Sequence, residues 1–507
     1  MVFVYIFTAI VVLLSLYLLK NRHFFNRDIY RNYGDDKVPW IKAGFSIAFC
    51  DAVELFTFVR TIANKYQKSY VLSVFGYTDY CITRASDAEK ILNSSTKHLE
   101  KGDIYKLLHS FLKTGLLTSD GEKWHTRRRM LTPAFHFNIL KEFCEIFKEE
   151  SDKLIETLRK TNGKKTNVVP ISTQFTLNTI CESAMGVKLS DLGNNGEVYR
   201  NNIYTVGKFL VHRVTKPWLL SDFTYFLFGY QRRFMKILKP VHQFTKDIIN
   251  KRRIEFMKKH ANSDAKGEKI LKDENENIYM GSKKKRFAMM DTLLQAQSEG
   301  LIDDEGIIEE TDTFTFEGHD TSSACMSFTL LLLAHHPEVQ EKLYEEIQDV
   351  TYGKDDFTVD DFNKMNYMER VLKESLRIYP PVHFISRILT EDLINDGRKY
   401  EKGTNVNIFI YDIHRDPEYF PDPEKFDPDR FLPENSIDRS NFAFIAFSAG
   451  MRNCIGQRFA MLELKVMLTK IIQKFKIQPV TKREDITFIG DIVLRSKDPI
   501  VMKFTPR

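Results

Sequence analysis

Residues 447–456 read Phe-Ser-Ala-Gly-Met-Arg-Asn-Cys-Ile-Gly, and no other segment constrains the architecture of this chain as strongly. Gly450 and Gly456 accept positive φ and have no Cβ, so the backbone can turn sharply there and approach a flat macrocycle closely. An amphipathic run over 457–475 predicts a helix that begins just after Cys454. The positive end of that helix, together with amides turned toward the sulfur, stabilises a thiolate. The pattern therefore predicts that Cys454 is a thiolate at neutral pH.

Two side chains of the same segment suit a macrocycle with acidic edge groups. Arg452 can reach a haem propionate, and Phe447 can pack near the sulfur and limit its solvation. The ordered Phe, Gly, Arg, Cys and Gly of residues 447–456 resembles the signature of the cytochrome P-450 superfamily. The resemblance implies haem b with Cys454 as the axial thiolate, and Gly456 among the cofactor-binding residues. Such a thiolate pushes electron density onto iron and favours O–O cleavage.

A second segment, Glu317-Gly-His-Asp-Thr-Ser, lies inside a predicted long helix from about 304 to 333. It places the acid Asp320 beside the alcohol Thr321, while Gly318 lets the helix open and leaves room for a ligand. Reductive O₂ activation needs two protons, so a solvent-linked carboxylate and a hydroxyl form a workable relay. A solvated polar face is the alternative. Similarity to the superfamily's oxygen-activation motif favours Asp320 and Thr321 as the catalytic pair.

Haem anchors are also predicted away from the cysteine. Trp124 and Arg128 lie four residues apart on a helix that Ser119 and Glu122 could cap as a box, and both can donate to a propionate. Arg387 is a third propionate partner that the resemblance implies.

The neighbouring Arg127 and Arg129 point elsewhere on that helix. They could meet an acidic electron donor or simply form a solvated face. A further pair, Glu374 and Arg377, stands at i and i+3. With Arg430 downstream it resembles the superfamily's buried Glu-Arg-Arg network, which is structural rather than catalytic.

Four motifs narrow the resemblance to the fourth family of animal cytochromes P-450, particularly its insect members. They are Trp-His-Thr-Arg-Arg-Arg-Met-Leu-Thr-Pro-Ala-Phe-His-Phe from 124, Thr-Leu-Asn-Thr-Ile-Cys-Glu-Ser-Ala-Met-Gly from 176, Glu-Gly-His-Asp-Thr from 317 and His-Arg-Asp-Pro-Glu from 414. The similarity covers essentially everything after residue 60. It implies that Glu317 can bind haem through an ester to a methyl group. Members of that family commonly hydroxylate the terminal carbon of fatty acyl chains, and others in insects act on hormones or xenobiotics.

The chain begins with a membrane-anchor pattern. Residues 1–19 are uncharged and almost wholly apolar, and Lys20, Arg22 and Arg27 follow. A cleaved secretory signal is the alternative, but no basic stretch precedes the apolar run. By the positive-inside rule the cations keep the following domain in the cytosol. We therefore predict a single-pass anchor in the endoplasmic reticulum membrane.

Length and composition leave the domain count open, because 507 residues could hold up to three domains or one large one. The resemblance favours a mainly α fold with a large helical domain and a small sheet-rich lobe. The expected organisation is an anchor over 1–19, a linker and domain start over 20–60, and a haem-thiolate monooxygenase domain over 61–507. Only Pro39 stands where relatives usually carry a proline-rich hinge, so the geometry between anchor and domain stays open.

Charge and cysteine usage bear on partners and compartment. The net charge of +6 is small for this length and its basic residues are interspersed with acidic ones, which argues against a nucleic-acid-binding protein. Five further cysteines show no paired or metal-finger spacing and fit a reducing compartment. They are Cys50, Cys81, Cys144, Cys181 and Cys325.

These observations predict a monooxygenase that inserts one atom of O₂ into a C–H bond of a small lipophilic substrate. The chain has no evident dinucleotide fingerprint, so NADPH should bind a partner flavoprotein, NADPH-cytochrome P-450 reductase, with cytochrome b5 as a further electron donor. One alternative is a reductase-independent haem-thiolate isomerase or peroxygenase, which often lacks an acid-alcohol pair such as Asp320 and Thr321. Another is a non-catalytic membrane-anchored binding protein, which the intact Cys454 segment disfavours.

Overall fold

A computed structural model describes residues 40–43, 45–74, 77–265, 288–355, 357–395 and 397–507. The predicted anchor over 1–19 and every other position before 40 lie outside these ranges. Within them, no helix combines the length and apolar character that a bilayer crossing needs.

Helices form most of the molecule, as the mainly α prediction requires. They are α1 (Ala52–Tyr66), α2 (Ala85–Leu92), α3 (His109–Leu112), α4 (Gly121–Leu131), α5 (Phe137–Lys160), α6 (Val168–Ser183), α7 (Asn195–Thr215), α8 (Asp222–Leu227), α9 (Tyr230–Ala265), α10 (Met289–Ser298), α11 (Asp304–His335), α12 (Pro337–Thr351), α13 (Val359–Phe362), α14 (Asn366–Ile378), α15 (Ile410–Ile413) and α16 (Gln457–Lys474).

Short strands form the smaller part. They are β1 (Trp40–Ala43), β2 (Tyr70–Val74), β3 (Tyr77–Ile82), β4 (Thr166–Asn167), β5 (Ile385–Ile388), β6 (Leu393–Asn395), β7 (Arg398–Tyr400), β8 (Asn405–Ile408), β9 (Phe475–Pro479), β10 (Phe488–Gly490), β11 (Leu494–Ser496) and β12 (Val501–Pro506). The largest sheet has the order β1-β2-β3-β8-β5, with β2 and β3 antiparallel and β3 and β8 parallel. This sheet is the predicted sheet-rich lobe.

The centre of the helical body is α11, whose residues are mostly buried. It begins where Asp303, at the N-cap, accepts a hydrogen bond from the Gly306 amide at 2.8 Å, which satisfies one of the free N–H groups of the first turn. It ends before Pro337, which opens α12 because a first-turn position has no N–H bond to lose. Both boundaries agree with the predicted long helix.

The role predicted for Gly318 is wrong. A Cβ at Gly318 would lie 2.6 Å from Cδ1 of Ile180, so the missing side chain lets α11 pack closely against α6. The helix is continuous through this position. Gly318 therefore serves helix packing rather than providing room for a ligand.

Candidate active site

The segment around Cys454 forms a tight loop ahead of α16. The Cys454 amide donates to the Phe447 carbonyl at 2.9 Å, which closes the loop. Gly450 has a φ of 67°, and a Cβ there would overlap the carbonyl oxygen of Leu92, so this turn requires glycine. Gly456 differs from the prediction, because its φ is −90° and a Cβ would make an ordinary 3.9 Å contact with the sulfur.

The Cys454 thiol lies in a recess of the protein. Cys454 is the exposed one of the six cysteines, yet burial by surrounding atoms raises the pKa of its thiol to about 11. The charge of Glu317 raises this pKa further, while the Gly456 amide and Arg128 lower it. Without a bound metal cation, this thiol is therefore neutral at pH 7. A bound metal cation deprotonates a coordinating thiol outright, so the thiolate depends on such a cation.

Glu317 of α11 faces the same recess. Burial raises the pKa of its carboxyl to about 7, and the nearby charges of Lys101 and Arg128 oppose that rise. Thr321 lies one turn further along the helix, and its hydroxyl donates to the Glu317 carbonyl at 2.7 Å. The mutual influence of Glu317, Arg128 and Cys454 means that α11 and the cysteine loop border one common space.

The structure does not join the functional groups of Asp320 and Thr321. Asp320 is 1% exposed, and its carboxylate forms an ion pair with Arg495 of β11. The Arg495 Nε atom also lies 3.3 Å from Asp491 Oδ2. Successive residues of a helix point about 100° apart, so adjacency in sequence does not bring the acid and the alcohol together. Sequence reasoning missed Arg495, because it stands far along the chain in an unremarkable strand.

Arg452 is fixed by contacts with other segments of the chain. Its guanidinium carbon lies 4.2 Å from the ring centroid of Trp124, which is 2% exposed. Nη2 donates to Asp120 Oδ1 at 2.6 Å, and Nη1 has no hydrogen-bond partner among the described residues. Arg128 donates from Nη1 and Nη2 to the Asn453 carbonyl and side chain at 2.8 and 2.7 Å. Both arginines thus brace the cysteine loop.

Two more cations complete the group. Arg387 is 2% exposed and shares an isolated β-bridge with Lys101. Lys101 has its ammonium 4.4 Å from the Tyr105 ring centroid. Burial lowers the pKa of Lys101 well below its usual range, and the charges of Arg387 and Arg452 lower it further. Sequence analysis missed Lys101, since no local pattern marks a single lysine as buried.

We call Lys101, Arg128, Arg387 and Arg452 the cation cluster. Its members repel one another. Burial is the main reason why the pKa of Lys101 is lowered, and repulsion from Arg387 and Arg452 is the second reason. The nearby carboxylates that act on Lys101 are Asp120 and Glu317. Buried cations of one sign are costly without anionic partners. The surplus charge and the unpartnered Arg452 nitrogen therefore fit an anionic cofactor edge such as two haem propionates.

The predicted start of α4 is wrong in detail. The helix begins at Gly121 with Asp120 at the N-cap, so Ser119 and Glu122 do not form a capping box. The Asp120 carboxylate instead accepts from Arg452 and from the Lys101 amide. The Asp120 carboxylate therefore orients members of the cation cluster instead of capping α4.

The two remaining arginines of α4 differ from each other. Arg127 is 9% exposed, and its guanidinium lies against Gly306 of α11, so it is neither a docking residue nor part of a solvated face. Arg129 is exposed and remains available to a partner.

The structural network around Glu374 has the predicted contacts. Arg377 Nε donates to Glu374 at 2.7 Å with both side chains fully buried, and Arg430 Nε lies 3.4 Å from Glu374. The network reaches further than predicted. Arg377 Nη1 donates to the His414 carbonyl at 3.0 Å, and the His414 ring accepts from the Ile445 amide at 2.9 Å. It therefore braces the chain just ahead of the cysteine loop.

Comparison with known proteins points to one protein family. The sequence model of the family described as Cytochrome P450 matches residues 36–504. Among curated relatives, "Probable cytochrome P450 4ac1" of Drosophila melanogaster is 43% identical over 454 residues, 89% of this chain and 86% of the relative. "Cytochrome P450 4c3" of the same species is 41% identical over 83% of this chain and 78% of its own length. "Cytochrome P450 4V2" of Mus musculus is 40% identical, covering 84% and 79% respectively.

Proposed function

Because this chain belongs to the cytochrome P450 family and is a haem-thiolate monooxygenase, we propose that it hydroxylates the end of a fatty-acid-like chain. The overall reaction is RH + O₂ + NADPH + H⁺ → ROH + H₂O + NADP⁺. We further propose that NADPH-cytochrome P450 reductase supplies the two electrons, with cytochrome b5 as a second donor. The observation that carries the substrate proposal is the Glu317 carboxyl, which faces the Cys454 recess from α11.

The proposed haem contacts follow from the site. Haem would supply O₂ binding and activation when it is bound, and the Cys454 thiolate would hold its iron. Trp124 and the cation cluster, which includes Arg128, Arg387 and Arg452, are proposed to hold the propionates by charge-assisted hydrogen bonds. Phe447 and Gly456 are also proposed to contact the haem site. The Phe447 carbonyl accepts from the Cys454 amide, and the Gly456 amide hydrogen-bonds to the Cys454 sulfur.

Glu317 is proposed to restrict the substrate. It lies four residues before Thr321, about 6 Å along the helix axis, so a carboxyl at this position reaches the edge of a macrocycle bound at Cys454. We propose an ester between Glu317 and a haem methyl. A fixed cofactor edge narrows the recess and favours a terminal methyl over the weaker internal C–H bonds.

Proton handling is assigned to Thr321 and Asp320. The Thr321 hydroxyl is held at the recess by its bond to the Glu317 carbonyl, with lone pairs free to accept a proton donor. Asp320 forms an ion pair with Arg495 and stands one residue before Thr321. We propose that a water links the two, because their side chains do not meet directly.

Membrane attachment is proposed through two surfaces. The first is the apolar run over 1–19, in the single-pass orientation with the catalytic domain in the cytosol at the endoplasmic reticulum. The second, the aromatic patch, lies between α7 and α9 and exposes large apolar side chains next to Lys216, Arg232 and Arg233. Its members are Trp218, Phe223, Phe226, Leu227 and Phe228. Apolar side chains rimmed by cations suit the interface of an anionic bilayer.

The test is turnover of the purified full-length protein with reductase and NADPH. Saturated fatty acids, insect hormone-like terpenoids and xenobiotics are supplied in turn, and mass spectrometry gives the position of the new hydroxyl. We expect terminal hydroxylation of fatty acids. Turnover of only terpenoids or xenobiotics would replace the substrate proposal. Product with hydrogen peroxide but none with reductase and NADPH would favour the peroxygenase alternative.

A further inference from the structure

A second polar face of α11 lies away from the Cys454 recess. Asp312, Thr315 and His319 recur at i, i+3 and i+7, which places them on one side of the helix. Glu317 and Thr321 fall on the other side. The three residues of this second face are 1%, 0% and 0% exposed. Such polar side chains in a packed interior need partners.

Several polar atoms on this face have none within the described parts of the chain. They are Asp312 Oδ2, Thr315 Oγ1, His319 Nε2 and the hydroxyl of Tyr199, which approaches from α7. Buried polar atoms are nearly always hydrogen-bonded, and ordered water serves where protein does not. Four unpartnered atoms in one region therefore offer hydrogen-bonding positions for internal water between α7, α9 and α11.

The identified bonds leave each group suited to water. Asp312 Oδ1 accepts from Thr245 at 2.6 Å, so Oδ2 remains free to bind water. His319 Nδ1 lies 2.9 Å from the Thr315 carbonyl and must donate to it. Burial lowers the pKa of His319, which keeps the ring neutral and makes Nε2 an acceptor.

The outer end of this region reaches solvent at His242 of α9. Its side chain is 18% exposed, and Nε2 lies 2.8 Å from the Phe111 carbonyl and 3.8 Å from Asp312 Oδ2. A gap of that size between polar atoms is where a bridging water belongs. Solvent protons thus have a short approach to Asp312.

The inner end comes near Asp320, the residue that follows His319 in α11. Burial raises the pKa of Tyr199, and the charges of Asp312 and Asp320 raise it further. The Tyr199 ring lies 5.5 Å from the His319 ring. Asp312 and Asp320 are eight residues apart, about 12 Å along the helix axis. Arg495, the ion-pair partner of Asp320, does not release a proton at physiological pH. Protons for Asp320 must therefore arrive from another group.

We call His242, Asp312, Thr315, Tyr199 and His319 the polar file. We propose that the polar file, through water it holds, carries protons from solvent to Asp320. The proposal rests on the monooxygenase reaction above, in which RH + O₂ + 2 e⁻ + 2 H⁺ gives ROH + H₂O. The electrons come from NADPH through the reductase, and both protons must reach a buried site.

Asp312 is the central exchanger of the polar file. Burial raises the pKa of Asp312 to about 7, so the carboxyl can gain and lose a proton near neutral pH. The groups that face it are Thr245, His242, Lys113 and Lys246, and the hydrogen bond from Thr245 and the two lysine charges oppose the rise.

The decisive variant is Asp312→Asn in the haem-loaded full-length protein. Asparagine keeps the shape and can still accept from Thr245, but it cannot exchange a proton with water. We expect product formation driven by reductase and NADPH to fall about tenfold or more. Product formation driven by hydrogen peroxide, RH + H₂O₂ → ROH + H₂O, consumes no net protons and should stay within about twofold of wild type.

The matched control is Glu309→Gln. Glu309 is a buried carboxylate of the same helix, paired with Lys123 at 2.7 Å and outside the polar file. It should leave both reactions unchanged. Equal loss of both reactions in Asp312→Asn would assign Asp312 a structural role and overturn the proposal, as would no loss in either. If the wild type makes no product with reductase and NADPH, that result contradicts the proposed function rather than the proposed proton path.

Infrared spectroscopy gives a readout that needs no turnover. A protonated Asp312 should show a carboxylic-acid C=O band near neutral pH that is absent in Asp312→Asn and present in Glu309→Gln. Transfer to D₂O should shift the band within minutes, because the polar file connects it to solvent. His242→Phe removes the polar group at the solvent end of the polar file and should slow the shift. A band that never shifts in the wild type overturns the proposal.

Discussion

At the scale of single residues, the chemistry of Cys454 depends on a charge that the polypeptide does not supply. Burial raises the pKa of the free thiol to about 11, and the amide of Gly456 and the charge of Arg128 only partly oppose it. Binding iron therefore releases the thiol proton, so cofactor loading is expected to be favoured by rising pH.

Replacing Cys454 tests the axial ligand directly. Cys454→Ser should abolish the red-shifted Soret band of the reduced carbon monoxide complex, because an alcohol is too weak a donor to give thiolate character. Cys144→Ala, at a buried cysteine far along the chain, should keep the band. Persistence of the band in Cys454→Ser would remove this residue from its role.

Glu317 offers a covalent test. After turnover of the wild type, denaturing chromatography should leave haem on the polypeptide, whereas Glu317→Ala should release it and shift hydroxylation away from the chain end. The control is Glu310→Ala, a buried carboxyl of the same helix whose pKa burial also raises to about 7. Free haem from fully turned-over wild type would refute the ester.

Thr321 should control the coupling of NADPH oxidation to product formation. In Thr321→Ala, NADPH oxidation is expected to continue while product falls severalfold and hydrogen peroxide rises, because electrons still arrive but the proton donor is misplaced. Thr321→Ser, which keeps the hydroxyl, should restore most of the coupling. The ratio of product to NADPH consumed is the measurement, and an unchanged ratio in the alanine variant contradicts the assignment.

At the scale of elements, α11 is held by close contacts on several sides, and one of them is titratable. Glu463 of α16 is fully buried, and its carboxyl accepts hydrogen bonds from Ser322 of α11 and Thr179 of α6. Burial raises the pKa of its carboxyl from 4.5 to about 7. The folded state therefore binds more protons than the unfolded state between these values, so stability falls as pH rises through this window.

Glu463→Gln should remove that pH dependence. The variant should be the more stable protein at pH 8, by up to about 3 kcal/mol, and lose this advantage at pH 5. Apparent melting temperatures of the haem-loaded proteins at both pH values provide the measurement. Glu434→Gln, at an exposed position, serves as control and should follow the wild type. A constant difference between Glu463→Gln and wild type would contradict the linkage.

At the scale of the whole molecule, membrane attachment should divide between two surfaces. Deleting residues 1–19 should release part of the protein from microsomes without loss of the haem spectrum, because the catalytic domain has its own core. Adding Phe223→Ser and Phe226→Ser should weaken binding to anionic vesicles at least about tenfold further. The control pair Ile394→Ser and Ile437→Ser also removes exposed apolar side chains and should not. Equal vesicle binding by both pairs would exclude the aromatic patch.

Local features of this molecule could be predicted from the sequence because residues close together in the chain produce them. The Cys454 loop, the start of α16 and the ends of α11 follow from glycines, apolar periodicity and a proline within a few residues. The Glu374–Arg377 pair is likewise one turn of a single helix. Family motifs then added haem and the reaction, and the comparisons confirm the family.

Contacts between distant segments needed the folded chain. Lys101 joins the cation cluster and Arg495 binds Asp320 only because packing brings together residues from opposite parts of the sequence. The prediction that Gly318 leaves room for a ligand is wrong for the same reason, since its neighbour Ile180 comes from another helix. A residue's type and spacing thus set which chemistry it can perform. Burial and charge, which sum over all surrounding segments, set whether a group such as Cys454 is ionised.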